Sequence, residues 1–185
     1  MNAPPHPSAA AAEAAATEAV ALADALSLRS ALGRYATGVT IVTCLDAGGA
    51  RVGLTANSFN ALSLAPPLVL WSLRRSSPSL AAFEAASHFA VNVLAETQVE
   101  LSRRFARPPG SGPGEGKFDD GAWSAGLGGA PVLAGCAAVF ECERVAVHDG
   151  GDHRLFIGRV LRLADIAVAP LVFQGGRYHM LGEVL

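Results

Sequence analysis

Three segments of the chain combine residue types that can bind a flat or anionic ligand. The first is Gly53-Leu-Thr-Ala-Asn-Ser-Phe-Asn60, in which small polar side chains and one aromatic ring follow an apolar run. Short hydroxyl and amide side chains can hydrogen-bond the polar edge of a planar ligand. The same residues also suit an ordinary turn that satisfies itself through local hydrogen bonds to the backbone. This segment alone leaves both interpretations open.

The second segment is Trp71-Ser-Leu-Arg-Arg-Ser-Ser-Pro-Ser79, between a predicted strand and a predicted helix. Its serine hydroxyls, together with Arg74 and Arg75, can hold a phosphate group near the start of the helix. The alternative is a serine helix cap flanked by two solvated arginines.

The third segment is Gly151-Asp-His153, at a predicted hairpin. A histidine that a tight turn holds at the start of a strand can point into a cleft and contact a ligand. The alternative is an exposed turn histidine without a function.

The elements that must position these segments are mainly short strands joined by turns. Strands are predicted over Val39–Leu45, Val52–Thr55, Ala61–Leu64, Leu68–Leu73, Phe89–Leu94, Ala137–Val147, His153–Leu163, Leu171–Gln174 and Tyr178–Leu181. Helices are predicted over Leu28–Tyr35, Ser79–Ala86 and Gln98–Phe105. Hairpin signals such as Asp46–Ala50 and the absence of alternating strand and helix predict a mainly β fold, an antiparallel barrel with a few short packed helices.

Composition and missing motifs exclude several classes of protein. The net charge of −2 lacks the basic footprint of a nucleic-acid binder, and no apolar run is long enough to span a membrane. A Rossmann glycine motif, a P-loop and close histidine pairs for a metal are all missing, so we expect no metal site. An odd count of three cysteines fits a reduced protein in the cytoplasm.

Residues 1–26, rich in Ala and Pro, are predicted to be a mobile extension, and 27–185 to be one domain.

Together, the segments resemble the short-chain flavin reductases that supply two-component aromatic monooxygenases. The match runs from about Leu28 to Leu181, and its stretches are specific by their order and spacing. They are Arg34-Tyr-Ala-Thr-Gly-Val-Thr-Ile-Val-Thr43, Gly53-Leu-Thr-Ala-Asn-Ser-Phe59, Ser63-Leu-Ala-Pro-Pro-Leu-Val-Leu70, Phe89-Ala-Val-Asn-Val-Leu94, Leu101-Ser-Arg-Arg-Phe-Ala106, Gly151-Asp-His153 with Phe156-Ile-Gly158, and Pro170-Leu-Val-Phe173 with Gly176-Arg-Tyr-His179.

This resemblance implies an FMN-binding split barrel that works as a homodimer, with FMN or FAD at or near the subunit interface. It implies flavin contacts at Thr37, Gly38, Thr55, Ala56, Asn57, Ser58, Phe59, Ser72, Leu73, Ser77, Asn92, Arg103, Arg104 and Phe105. The nicotinamide nucleotide, NADH or NADPH, is expected at Gly151, Asp152 and His153. One departure from the family pattern is the Pro108–Gly116 loop, which is long and rich in Pro and Gly and is expected to be mobile.

The activity implied by the resemblance is NAD(P)H-dependent reduction of flavin, which then diffuses to a partner oxygenase. Two alternatives stay open from the residues. One is a different enzyme on the same barrel, such as a pyridoxamine-phosphate-type oxidase. The other is a non-catalytic protein that binds or stores flavin.

Overall fold

The computed structural model describes residues 25–108 and 116–183. The predicted extension 1–26 and the predicted mobile loop 108–116 therefore lie almost entirely outside the described residues. In the part of the chain that is described, no helix has the length and apolar character needed to cross a membrane.

Twelve strands and three α-helices form the described fold. The helices are α1 (Ala25–Leu32), α2 (Leu80–Ala85) and α3 (Val99–Ala106), with short 3-10 turns at Glu96–Gln98 and Leu127–Gly129. The strands are β1 (Thr37–Gly38), β2 (Thr40–Leu45), β3 (Arg51–Ala56), β4 (Asn60–Leu64), β5 (Pro67–Arg74), β6 (His88–Val93), β7 (Trp123–Ala125), β8 (Pro131–Leu133), β9 (Ala138–Gly150), β10 (His153–Asp165), β11 (Val172–Gln174) and β12 (Arg177–His179).

The main sheet has seven antiparallel strands in the order β3-β2-β6-β9-β10-β5-β4. Its two outermost strands, β3 and β4, are joined by the three residues 57–59 alone. Four Cα steps of 3.8 Å reach about 15 Å at most, so the two edges of the sheet must lie close together. The sheet therefore curls into a barrel that stays open between β3 and β4, which confirms the predicted antiparallel split barrel.

An aromatic cluster fills the inside of this barrel. Trp71 on β5 stacks on Phe156 on β10 at 4.7 Å between ring centroids, and Phe83 of α2 meets Trp71 edge-on at 4.9 Å. Such aromatic pairs add about 0.5–1.5 kcal/mol each to the stability that area burial provides. Helix α2 thus closes the barrel interior, although it has only six residues.

A second core lies outside the barrel, between β2, α3 and the small strands. Phe105 of α3 is buried there with Ile41, Leu94 and Leu133. Strand β2 contributes alternate residues to both cores, since Val42 and Cys44 face the interior cluster whereas Ile41 faces the outer one. The three-residue hairpin β7–β8 in this region was not predicted, because strands this short carry too few residues for an alternating pattern.

The predicted boundaries agree with the observed ones within a few residues. Helix α1 begins and ends three residues before the predicted helix Leu28–Tyr35, and β9 ends three residues after the predicted Val147. The predicted apolar face of this helix does not pack on the rest of the chain, since Leu28, Leu32 and Tyr35 are all exposed.

Candidate functional site

A groove of about 420 Å³, here called the ligand groove, gathers five separate segments of the chain. The segments are the end of β3 and its loop, the end of β5 and its loop, the end of α3, the start of β10, and Lys117. A volume of this size is within the range of about 300–1,000 Å³ that is usual for small-molecule sites. Its lining residues are Leu54, Thr55, Ala56, Asn57, Ser58, Ser72, Leu73, Arg74, Ser76, Ser77, Pro78, Ser79, Phe105, Ala106, Arg107, Lys117 and His153.

Two hydroxyl groups hold the walls of the ligand groove together. The Ser58 hydroxyl donates to the carbonyl oxygen of Ser72 and accepts from its N–H, both at 3.0 Å. The Thr55 hydroxyl donates to the carbonyl oxygen of Ser102 on α3 at 2.6 Å. These side chains therefore fix the loop after β3 against β5 and α3, and their hydroxyl protons are already engaged.

Other polar side chains in the groove remain available to a ligand. The amide of Asn57 and the hydroxyls of Ser72 and Ser76 make no hydrogen bond to any residue in 25–108 or 116–183. Asn57 can both donate and accept hydrogen bonds, as the edge of a heteroaromatic ring requires. The groove thus separates structural hydroxyls from polar groups that can meet a ligand.

Three cations surround the same groove: Arg74, Arg107 and Lys117. The ammonium group of Lys117 donates to the carbonyl oxygens of Gly53 at 3.3 Å and Phe105 at 3.2 Å. Burial lowers the pKa of Lys117 from its usual value of 10.5, because desolvation disfavours the charged form. An anionic ligand group placed in this groove would restore favourable electrostatics to that cation.

Sequence reasoning did not assign Lys117 or Arg107 to the site. Lys117 is the sole lysine of the chain, and Arg107 follows the last residue of α3. Helix geometry could have identified the arginine. Phe105 is buried, and Arg107, two residues after it, lines the ligand groove. Arg103 and Arg104 lie on other sides of α3, where they form ion pairs with Glu100 and Asp120.

His153 enters the groove from the β9–β10 hairpin. Gly151 has a φ of +66°, a backbone conformation that favours glycine and lets the turn close tightly. One oxygen of the Asp152 carboxylate lies 2.7 Å from Nδ1 of His153. This contact is the main cause of the lowered pKa of Asp152. An ionised carboxylate only accepts hydrogen bonds, so Nδ1 of His153 is the donor towards it. Nε2 is left as the ring nitrogen that a ligand can use.

Arg75 holds this hairpin against the loop after β5. Its backbone N–H donates to the carbonyl oxygen of Asp152 at 2.9 Å, and its Nε donates to that of Gly151 at 3.1 Å. Asp149 forms ion pairs with both Arg75 and Arg154. Charge-assisted hydrogen bonds from the arginines, above all from Arg154, lower the pKa of Asp149.

Asn92 lies away from the groove, although it was predicted to contact a phosphate. Its side chain is 0% exposed. Its amide donates to the carbonyl oxygen of Ile41 at 3.0 Å, and its carbonyl oxygen accepts from the N–H of Leu133 at 2.8 Å. Asn92 therefore joins β2, β6 and β8, and we leave it out of the site.

Seven further predicted residues lie outside the lining of the groove. Arg103 pairs with Glu100 at 2.5 Å, and Arg104 pairs with Asp120, so neither points its charge into the groove. The Phe59 ring packs on Phe140 at 5.4 Å, against the barrel interior. The others belong to strand β1, which pairs with β11, or to the turn that carries His153: Thr37, Gly38, Gly151 and Asp152.

The chain is similar in sequence to known proteins. The family model described as a flavin reductase like domain matches residues 32–182. The chain is 47% identical over 152 residues to the FMN reductase (NADH) SmoA of Agrobacterium fabrum, covering 82% of this chain and 83% of that one. It is 43% identical to HsaB of Rhodococcus jostii, the reductase subunit of a flavin-dependent monooxygenase, covering 84% of this chain and 77% of that one.

A solved structure shows the same fold. The NADH:FAD oxidoreductase SgcE6 of Streptomyces globisporus superimposes with a TM-score of 0.80 at 36% identity, over 88% of this chain and 95% of that one. Some relatives are longer, and the chain spans 48% of the length of one of them.

Proposed function

Because this chain belongs to the flavin reductase like domain family, we propose that it reduces FMN or FAD at the expense of NAD(P)H. The observation that carries the proposal is the ligand groove, in which Asn57, Ser72, Arg74 and His153 come together from distant parts of the chain. A groove lined by polar groups, three cations and a histidine suits a flavin nucleotide and a nicotinamide.

The residues of the groove fit a flavin. The free amide of Asn57 and the hydroxyl of Ser72 match the donors and acceptors along the pyrimidine edge of an isoalloxazine ring. Arg74, Arg107 and Lys117 supply positive charge for the phosphate, with the hydroxyls of Ser76 and Ser77 beside them. Apolar contact comes from Leu54 and Leu73.

His153 fits the role of a positioning group for the nicotinamide. Since Asp152 holds the proton on Nδ1, neutral His153 offers Nε2 as an acceptor, which a carboxamide N–H₂ can use. Orientation of the two reactants is the main contribution that such a site can make, because it turns the encounter into an effectively unimolecular step.

When bound, the flavin supplies the chemistry by accepting hydride from the nicotinamide and carrying the electrons away. The protein residues bind the flavin and the nicotinamide, orient them towards each other and shield part of their surface from solvent. The ligand groove is open to solvent, and many of the side chains that can contact a flavin are short and polar. This supports a flavin that dissociates after reduction. We propose that an oxygenase component receives it, in line with the monooxygenase reductase subunits among the relatives.

We further propose that the protein is a homodimer, on the evidence of an exposed apolar patch. Leu64 on β4 is 94% exposed, and Leu161 and Leu163 on β10 are 49% and 62% exposed. The pairing of Leu64 with Pro67 and of Arg159 with Leu68 brings these side chains to the same end of the sheet. Burying such a patch against a second copy is favourable by about 25 cal/mol per Å². Native mass spectrometry tests this, and a monomer at micromolar concentration would contradict it.

We also propose that the protein works in the reducing environment of the cytoplasm. All three cysteines are buried as free thiols, which supports a compartment in which disulfides do not form.

The central experiment is anaerobic titration of the protein with FMN or FAD, followed by NADH or NADPH. We expect flavin to bind and the flavin absorbance near its visible maximum to bleach on addition of the nicotinamide. Steady-state oxidation of NADH with free flavin in air gives the rate. Binding without bleaching would favour a flavin-binding protein, and no binding of either flavin would refute the proposal.

A further inference from the structure

The guanidinium of Arg154, on β10, forms ion pairs in two directions. Its Nε lies 3.0 Å from a carboxylate oxygen of Glu84 on α2, and its Nη1 contacts the carboxylate of Asp149 on β9. The Arg154 side chain is 24% exposed, so solvent screens these pairs less than it screens pairs on the open surface. Arg154 therefore connects a helix to the strand that leads into the hairpin of His153.

The helix at one end of this chain of charges is held by the barrel core. Glu84 follows Phe83, which is 1% exposed and meets Trp71 edge-on in the barrel interior. Phe156, which stacks on the same Trp71, comes two residues after Arg154 on β10. Side chains two apart on a strand share a face, so Arg154 lies on the face of β10 that α2 covers. Glu84 offers it a carboxylate there, from a helix that packing keeps in place.

At the other end, two arginines meet on one carboxylate oxygen. Arg154 and Arg75 both contact Oδ1 of Asp149. Of the two, Arg154 makes the larger contribution to the lowered pKa of Asp149. Arg75 in turn donates hydrogen bonds to the carbonyl oxygens of the two residues before His153. The contacts thus run without a break from α2, through Arg154 and Asp149, to the turn that presents the histidine.

His153 and Arg154 point to opposite sides of β10, as neighbours on a strand do. His153 lines the ligand groove, whereas Arg154 does not. A substitution of Arg154 therefore leaves the lining of the groove intact and alters only what supports the hairpin. Such support matters because a displacement of about 1 Å in a bound reactant can slow a reaction about a hundredfold.

We propose that Arg154 is a positioning residue for the nicotinamide and that it acts through His153. The proposal rests on the reductase function above and extends it, since it gives a role to a side chain outside the ligand groove. Arg154 ties the β9–β10 hairpin to α2, so that the His153 ring keeps its place while the nicotinamide binds and leaves. Glu84 and Asp149 are the two anchors of this tie.

The test compares Arg154→Gln with Arg159→Gln, which removes an exposed arginine of the same strand whose contact with Glu143 is 4.0 Å long. Steady-state oxidation of NADH gives kcat and KM, and fluorescence titration gives the dissociation constants of FMN and FAD. Arg154→Gln is expected to raise the KM for NADH about tenfold, while kcat and flavin affinity stay within about twofold of the parent values. Arg159→Gln is expected to leave all of them unchanged.

Two further comparisons separate positioning from general stability. In the His153→Ala background, Arg154→Gln is expected to add nothing to the KM, because the residue through which it acts is gone. Glu84→Gln changes an exposed residue of α2 and is expected to raise the KM for NADH about threefold by itself. If Arg154→Gln does not fold, the result for Glu84→Gln decides.

An unchanged KM for NADH in Arg154→Gln, or in Glu84→Gln where the first variant does not fold, would refute the role of Arg154 and leave the reductase function standing. Equal losses of flavin and NADH affinity, or additive effects of Arg154→Gln and His153→Ala, would show a general structural role and would also overturn the proposal. A parent protein that binds neither flavin, or that oxidises neither NADH nor NADPH, would instead contradict the function itself.

Discussion

The Nε atom of Arg75 donates a hydrogen bond of 3.1 Å to the carbonyl oxygen of Gly151. This contact joins two walls of the ligand groove, because Arg75 belongs to the serine-rich loop that we propose for the flavin phosphate and Gly151 to the hairpin that presents His153. The two predicted ligand sites are therefore mechanically connected, although 76 residues separate the partners in the chain.

Arg75→Ala is expected to raise the KM for the nicotinamide about five- to tenfold, since it removes a charge-assisted contact that holds the hairpin. Flavin affinity and kcat are expected to change less, because the Arg75 side chain does not line the ligand groove. Arg159→Ala, an exposed arginine farther along β10, is the control. Equal losses in flavin and nicotinamide binding would show general disruption instead of a positioning role.

His153→Ala is expected to raise the KM for the nicotinamide more than it lowers kcat, because the ring orients the dinucleotide and transfers no proton. Asp152→Asn is expected to give part of the same effect, since Asn can orient either tautomer of the ring. In the His153→Ala background, the Asp152 substitution then adds nothing, which a double-mutant cycle measures. Additive effects would contradict the coupling of the two side chains.

The charge of Asp152 sets the pH range of this pair. Its pKa is lowered from 3.8 by the hydrogen bond with His153, so the carboxylate is charged at every pH above 3.8. The carboxylate therefore remains an ionised acceptor above that value, and its contribution is lost as the pH falls through the lower pKa of the folded state. Across the neutral range, the kcat/KM profile is expected to show no step from Asp152.

Asn57→Ala and Asn92→Ala are expected to separate binding from stability. Asn57→Ala weakens flavin binding and leaves the free energy of unfolding nearly unchanged, since its amide makes no hydrogen bond to another described residue. Asn92→Ala removes the acceptor of the buried Leu133 N–H and is expected to destabilise the protein by about 1–3 kcal/mol. Denaturant unfolding and flavin titration of both variants check the contrast, and the reverse pattern would contradict the site.

Gly53→Ala is expected to destabilise the fold and narrow the ligand groove. A Cβ at this position meets the Phe105 ring at 2.7 Å and the Phe118 ring at 3.1 Å, which forces both rings to move. Overpacking of this kind costs about 1–3 kcal/mol. Gly38→Ala is the control, since nothing lies within 4 Å of its added methyl group. Equal melting temperatures for the two variants would show that the rings adapt freely.

The three cysteines are expected to resist alkylation in the native protein. Burial is the main cause that raises the pKa of Cys44, Cys136 and Cys142 to about 12, so almost no thiolate exists near pH 8. Ellman's reagent is expected to label none of them in the native state and all three in guanidinium chloride. Prompt labelling of the native protein would show that the barrel opens readily.

The sequence predicted the strands well because most of them alternate or run as β-branched segments next to hairpin turns. It could not separate Asn57, which follows an apolar strand, from Asn92, which lies within one, because only the three-dimensional packing shows which amide is buried. Lys117 was missed because it reaches the groove from a segment that follows the Pro/Gly-rich loop, with no local pattern to mark it. The arginines of α3 were assigned by their neighbours in the chain, whereas the direction of each side chain around the helix decides their partners.

The gap between β3 and β4 has a consequence for the catalytic cycle. The linker 57–59 that bridges this gap also carries Asn57 and Ser58, so a flavin bound as we propose would hold β3 and β4 together. A flavin that dissociates after every turnover would remove this link each time. The opening between β3 and β4 would then alternate between a narrower and a wider form. We expect amide hydrogen exchange in 51–64 to slow when flavin is added, while exchange in β9 stays constant.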